Sequence, residues 1–190
     1  MLLDLTALRD GNRCGQASAF MALTPIKAGH EDLLRADLEA LGAGDGPSPL
    51  ARLPRTHFGR WVVCEDFVTD PSQGGADTMG CPHLIFTCCI DGDIQSYLEE
   101  LCAELAPETR MIWRHCINAP DPAEGADLVR YLRHNQIDTG LFYSAYPNTT
   151  VGEVRRVLRQ QAALRALAVD APMLTAEELQ RRFLAEVGGS

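Results

Sequence analysis

Residues 54–64 read Pro-Arg-Thr-His-Phe-Gly-Arg-Trp-Val-Val-Cys, a β-rich run that carries histidine, arginine and tryptophan close together. Successive side chains of a strand point to opposite faces of its sheet. His57, Gly59 and Trp61 are therefore predicted on one face, where the glycine leaves a gap that could admit a ligand. Arg60 is predicted on the other face, so His57 and Arg60 share a pocket only if a bulge intervenes.

The composition fits one globular domain, because 190 residues that are 46% hydrophobic and 23% charged can bury a sizeable core. The formal net charge of −9 argues against a nucleic-acid-binding surface, which needs clustered positive charge. Seven scattered cysteines predict reduced thiols in a cytoplasmic protein rather than a disulfide framework. The first ten residues lack the features of a signal peptide, and no segment approaches membrane-spanning length. We therefore expect no binding to nucleic acid or membrane.

The hydrophobic pattern predicts strands at 17–26, 54–67, 82–90 and 139–146. Helices are predicted over the leucine repeat 33–41, from the N-cap Asp93 to Leu105 before Pro107, and at 124–135, 150–168 and 175–187. The last helix has Thr175 and Glu178 at the spacing of a capping box. The helix at 150–168 is expected to turn one apolar group inward, namely Val151, Val154, Val157 and Leu158.

This order, βαββαβ, predicts an α+β fold in which helices cover one face of a ferredoxin-like antiparallel sheet. We expect a single domain over residues 1–190, with a core at 17–147 and a C-terminal helical extension at 148–190. The uncovered sheet face must be buried by a partner, because apolar area is worth roughly 25 cal/mol per Å² when it is removed from water. Homodimerisation is the simplest solution.

The element order, with Thr56-His57-Phe58-Gly59-Arg60-Trp61 in the second strand, resembles the dimeric α+β barrel superfamily over roughly residues 17–147. Similar families include antibiotic-biosynthesis-type monooxygenases, dye-decolorising peroxidases and chlorite dismutases, and the last two use haem. The peroxidases combine two ferredoxin-like halves in one chain, whereas this chain has room for one. Their acidic distal motif and a haem-ligand motif have no match here, so no catalytic residue is carried over by position. The resemblance implies oxygenase or peroxidase-type chemistry, with haem or without a cofactor.

His57 is the first catalytic candidate, as a general base or a haem ligand, because its strand face lines an interior pocket in this architecture. The alternative is a structural histidine bonded to the sheet edge. His115 is the second, in the run Ile-Trp-Arg-His-Cys at 112–116, and it could ligate iron or zinc. Cys116 could be a reactive thiol if a cation lowers its pKa. The alternative for this run is a helix-to-loop junction with Trp113 buried and Arg114 solvated.

The remaining candidates would complete a pocket around these histidines. Arg60 is the third catalytic candidate, and the candidate cofactor contacts are Trp61, Tyr143 and Arg114. Tryptophan at position 61 is more often a core residue than a cofactor contact. Tyr143 and Tyr146 alternate in the predicted fourth strand, so only one of them can share a cavity with His57.

A zinc site built from cysteines is disfavoured. Cys88 and Cys89 lie inside an apolar strand and point to opposite faces, whereas structural zinc ligands are usually paired in loops. Small buried hydrophobic residues explain these cysteines better. His115 stays the metal candidate. The sequence thus predicts a homodimeric enzyme with a mostly apolar pocket for a small-molecule substrate, or alternatively a non-catalytic ligand-binding or interaction module.

Overall fold

The computed structural model describes residues 12–43, 46–66, 72, 78–120 and 125–187. The prediction for the first ten residues lies outside these residues. Within the described ranges, no helix is both long and apolar enough to cross a membrane.

Strands and helices alternate irregularly along the chain. In order, they are β1 (Arg13–Cys14), β2 (Ala17–Pro25), α1 (Glu31–Gly42), β3 (Thr56–Cys64), β4 (His83–Asp91), α2 (Ile94–Glu104), α3 (Ala106–Trp113), α4 (Gly125–His134), α5 (Val151–Asp170) and α6 (Ala176–Val187), with 3-10 turns at Pro49–Arg52 and Ala171–Met173. In the described part of the chain, the strands form one four-stranded antiparallel sheet in the order β1-β2-β4-β3. The predicted α+β class is confirmed.

The predicted strand at 139–146 is wrong, because these residues form no strand. The preceding residue Gln136 makes a single antiparallel bridge with Ala22 at the outer edge of β2. Just beyond this bridge, the chain is bonded to the side chain of Asn12, which directly precedes β1: Asn12 Nδ2 donates to Asp138 Oδ1 at 2.9 Å, and Asn12 Oδ1 accepts from Thr139 N at 2.7 Å. The complete ferredoxin-like order is therefore not confirmed.

An additional helix, α3, begins at Ala106, in a stretch for which the sequence pattern predicts no helix. Proline stands in the first turn of α3, where its missing N–H costs no hydrogen bond. Pro107, which the sequence predicts to follow the end of α2, therefore lies in the first turn of the next helix.

The sheet has two different faces. The face covered by helices carries the core side chains of the sheet, including Phe20 and Phe86. The buried Trp113 of α3 belongs to the same core. The opposite face carries alternate residues that are only partly buried or exposed: Ala19, Met21 and Leu23 of β2, Ile85, Thr87 and Cys89 of β4, and Phe58, Arg60 and Val62 of β3. We call these nine residues the open face.

The chain divides into two compact units, Met1–Asn148 and Thr149–Ser190. The second unit is a helical hairpin of α5 and α6. Its predicted capping box at Thr175 is confirmed, since Glu178 N donates to Thr175 Oγ1 at 3.3 Å and Thr175 N donates to Glu178 Oε2 at 3.0 Å. The predicted inward face of α5 is wrong for three of its four residues, because Val151 is buried whereas Val154, Val157 and Leu158 are exposed.

Candidate functional site

A β-bulge places His57 on the open face. Thr56 pairs with Ile90 and Phe58 pairs with Cys89, which leaves His57 as the extra residue between them. The bulge breaks the alternation of side chains in β3. The prediction that His57 shares a face with Gly59 and Trp61 is therefore wrong.

His57 is hydrogen-bonded to a carboxylate across the bulge. Its Nε2 lies 2.7 Å from Asp91 Oδ1, and the two side chains are 30% and 12% exposed. Asp91 has the strand parity of Cys89 and Thr87, the face away from the helices. Because an ionised carboxylate only accepts hydrogen bonds, Asp91 selects the tautomer with the proton on Nε2 and a lone pair on Nδ1. This arrangement can accept a proton from a substrate and stabilise the imidazolium that forms.

Arg60 lies on the same face as this pair, two residues from Phe58. Its guanidinium carbon is 5.6 Å from the centre of the Phe58 ring. The sequence predicts that His57 and Arg60 share a face only if a bulge intervenes, and β3 contains this bulge. Arg60 is an exposed cation on this face, and a cation that contacts a deprotonated substrate can stabilise its negative charge.

Trp61 lies on the helix-covered face instead. Its ring stacks on Phe86 with a centroid distance of 5.2 Å, and its Nε1 is buried without a hydrogen-bond partner. The gap expected at Gly59 is filled, because an added Cβ would lie 2.7 Å from Leu50 Cδ1. A cleft of about 280 Å³ lies beside these residues and is lined by Leu38, Leu41, Leu50, Gly59 and Trp61, among others.

His115 belongs to a second polar cluster. It is 3% exposed, and its Nε2 lies 2.9 Å from Asp37 Oδ2. Arg114 donates from its guanidinium to the same oxygen at 2.7 Å. The hydrogen bond from His115, with a smaller contribution from Arg114, lowers the pKa of Asp37, while desolvation opposes this shift. Asp37 is therefore held as the carboxylate.

A second imidazole completes this cluster. His30 at the start of α1 places its Nδ1 3.0 Å from Nδ1 of His115. One of these two Nδ1 atoms donates to the other, and the tautomers of the two rings decide which one is the donor. Nε2 of His115 also lies 3.2 Å from Nε of Arg114. Both ring nitrogens of His115 are occupied by these contacts.

Two further expectations for the run at 112–116 are settled by burial. Trp113 is fully buried and the Arg114 side chain is 57% exposed, as the helix-to-loop alternative predicts. Cys116 is fully buried, and burial raises its pKa to about 11. The prediction of a lowered pKa at Cys116 is therefore wrong.

The two histidine clusters lie at opposite ends of the sheet. Asp91, the partner of His57, is opposite Ala17 at one end of β2. The backbone oxygen of His115 accepts from Lys27 N, just beyond the other end of β2. Nine residues of strand separate these ends by about 27 Å. His57 and His115 therefore do not share a pocket within one chain.

The candidate haem contacts are also dispersed. Trp61 packs on the helix-covered face, Arg114 pairs with Asp37 at the far end of the sheet, and Tyr143 is 79% exposed in an irregular segment. These residues do not fit one haem. Among the described residues, no group of three or more histidine, cysteine, aspartate or glutamate side chains could hold a metal ion.

Sequence reasoning missed both carboxylates and one histidine. Asp91 ends a strand just before a turn, Asp37 lies within an ordinary amphipathic helix, and His30 precedes that helix. Nothing local marks them, because His57 and Asp91 are 34 positions apart and His115 and Asp37 are 78 apart. Comparisons with family models, with curated proteins and with solved structures found no match.

Proposed function

We propose that this protein is a homodimeric enzyme that removes a proton from a small apolar substrate held against the open face. The observation that carries the proposal is the hydrogen bond of 2.7 Å between His57 and Asp91 on that face. A paired, partly exposed imidazole of fixed tautomer is the arrangement that general-base catalysis needs, and such catalysis contributes roughly 10²–10⁴ in rate.

The substrate space is proposed between two subunits. The cleft at Trp61 lies on the helix-covered side of the sheet, whereas His57 lies on the other side. Phe58 and Val62 are 47% and 40% exposed on the open face. Pairing two such faces would remove apolar area from water at roughly 25 cal/mol per Å² and would enclose both His57 residues.

The resemblance to the dimeric α+β barrels supports an oxygenase or peroxidase-type reaction. Loss of a proton makes a phenol-like substrate richer in electrons and therefore easier to oxidise. His57 would take this proton on Nδ1, Asp91 would stabilise the imidazolium, and Arg60 would stabilise the substrate anion. Haem binding stays a separate prediction of the resemblance, which Soret absorption of the purified protein tests directly.

The experiment compares wild type with His57→Gln on a panel of phenols and quinols. Oxygen and peroxide consumption are followed, with His134→Gln, an exposed histidine of α4, as the matched control. We expect His57→Gln to lower the rate on the order of 10²-fold while the control keeps it. Equal rates in both variants would remove His57 from the reaction.

A non-catalytic interaction module is the second candidate. It is favoured by the apolar side chains of the open face. The variant Val62→Glu distinguishes the interaction module from the enzyme. Both candidate functions predict weaker association of the chains in this variant, but only the enzymatic one also predicts a loss of turnover. An unchanged dissociation constant in Val62→Glu contradicts face pairing in either case.

A further inference from the structure

A thiol and an imidazole meet at the end of the sheet that lies farthest from His57. Cys64 ends β3 and pairs directly with His83, the first residue of β4. Their side chains point to the same face, because Cys64 lies two residues beyond Val62 and His83 lies two residues before Ile85. Opposed residues of an antiparallel pair have Cβ atoms about 4.5–5.5 Å apart. The two groups are therefore within reach of one small ligand.

The thioether of Met79 lies against the same thiol. Cys64 Sγ is 3.6 Å from Met79 Sδ and 3.8 Å from the backbone oxygen of Asp66. The N–H of Met79 donates to Asp66 Oδ1 at 2.9 Å, which fixes the backbone that carries the thioether. Because a thiol is a weak hydrogen-bond donor, Cys64 gives up little when it loses its proton. Cys64, Met79 and His83 are all partly exposed, so a ligand can reach them from solvent.

The hydrogen bond of His83 leaves its other ring nitrogen free to bind a metal. Nδ1 of His83 lies 2.7 Å from the backbone oxygen of Cys81. A carbonyl oxygen only accepts hydrogen bonds, so Nδ1 carries the proton of the neutral ring and Nε2 carries a lone pair. Histidines that bind metals usually donate their second ring N–H to a carbonyl or carboxylate oxygen in this way.

The chemistry of the three donors selects the metal. Thiolate and thioether sulfur favour copper(I), and imidazole is also a copper ligand. Zinc takes thiolate, imidazole and carboxylate, whereas a thioether is not among its usual ligands. The set has one cysteine and one histidine. It therefore agrees with the finding that, in the described part of the chain, no three histidine, cysteine, aspartate or glutamate side chains could hold a metal ion.

We propose that Cys64, Met79 and His83 bind one copper(I) ion, with release of the thiol proton to solvent. A metal–sulfur distance of about 2.3 Å, as in zinc thiolates, places two sulfur ligands of a trigonal metal about 4 Å apart. The observed 3.6 Å between the two sulfur atoms is close to this value. Since His83 and Asp91 are the two ends of β4, about 26 Å apart, the copper site is independent of His57 and of the proposed enzymatic activity.

The first test measures the copper(I) affinity of the full chain, without oxygen, by competition with the coloured chelator bicinchoninate. We expect wild type to take one equivalent and Cys64→Ser to lose this binding. Met79→Leu and His83→Gln should each raise the dissociation constant about tenfold or more, because each removes one of three ligands. An affinity that Met79→Leu leaves unchanged overturns the proposed site.

Matched controls remove the same chemical groups elsewhere in the chain. Each should bind copper(I) as wild type does, and the three are Cys14→Ser, Met173→Leu and His134→Gln. Cys81→Ser is the control closest to the site, since only the backbone oxygen of Cys81 contacts His83. We expect Cys81→Ser to keep the affinity of wild type. Loss of binding in Cys81→Ser would mean that the thiol of Cys81 holds the copper, and would overturn the proposed set.

The second test counts the ligands directly, so it does not depend on how any variant folds. X-ray absorption of the wild type loaded with copper(I) should show two sulfur ligands and one nitrogen ligand. Coordination by sulfur alone overturns the role of His83. Zn²⁺ that displaces copper(I) from Cys64 and His83, with no effect of Met79→Leu, overturns the choice of metal.

Discussion

His57 and Asp91 meet at the bulge of β3, with 2.7 Å between Nε2 and Oδ1. The bulge supplies the extra residue, and β4 supplies the carboxylate one position beyond its last core-facing side chain, Ile90. Arg55 ties the same corner to α2, donating to Glu100 Oε2 at 2.9 Å. The imidazole is therefore held by two neighbouring strands and, through Arg55, by a helix.

Replacing Asp91 by asparagine tests the role of this carboxylate. The amide of an asparagine side chain can donate to Nε2 as well as accept from it, so the tautomer of His57 is no longer fixed. We expect the nitrogen-15 NMR signals of His57 to move towards the Nδ1-protonated form, and turnover to fall roughly 10- to 100-fold. The control Asp127→Asn, in a surface ion pair with Arg130, should change neither. Unchanged imidazole signals in Asp91→Asn would show that Asp91 does not set the tautomer.

The strands β2 and β4 could be predicted because their apolar runs are local. The orientation of His57 could not, since the bulge depends on the register between β3 and β4. The strand at 139–146 fails for a similar reason, because Asp138 and Thr139 bond to the side chain of Asn12, which is 126 and 127 positions away in the sequence. Only the histidines of the candidate site could be predicted, because their residue type itself indicates possible chemistry. Their partners Asp91 and Asp37 resemble ordinary turn and helix residues.

Gly59→Ala tests whether the glycine provides space for a ligand or for the core. The new Cβ would lie 2.7 Å from Leu50 Cδ1, so Leu50 must shift. We expect a loss of about 1–3 kcal/mol in the free energy of unfolding, measured in urea. Gly152→Ala is the matched control: its Cβ would have its nearest neighbour at 3.8 Å, and it should stabilise α5 by about 0.5–1 kcal/mol. Equal effects of both changes would mean that Leu50 adapts freely.

Cys89 reports on whether the open face is covered. It lies on that face, partly exposed, whereas its neighbour Cys88 is buried in the core. Burial raises the pKa of both thiols, so the thiol of Cys88 should stay unreactive in the native protein. If two open faces pair as proposed, Cys89 of the wild type should also resist alkylation. Val62→Glu should increase labelling of Cys89 on the order of tenfold, with Cys14 as the internal reference. Rapid labelling of Cys89 in the associated wild type would show that the open face is uncovered.

The carboxyl group of Asp37 makes the free energy of unfolding depend on pH. Its pKa is lowered chiefly by the hydrogen bond from His115 and further by Arg114, against desolvation. A carboxyl whose pKa is lower in the folded state adds stability above its unfolded pKa of about 3.9 and loses it as the pH falls through the folded value. We therefore expect wild type to lose this contribution as the pH falls below about 4.

Asp37→Asn should be less stable than wild type by about 1 kcal/mol at pH 7, and the two proteins should converge in stability towards pH 3. Urea unfolding of both proteins at pH 3, 4, 5 and 7 measures the difference. An offset that stays constant across this series would show that the charge of Asp37 contributes nothing, and that only the shape of its side chain supports His115.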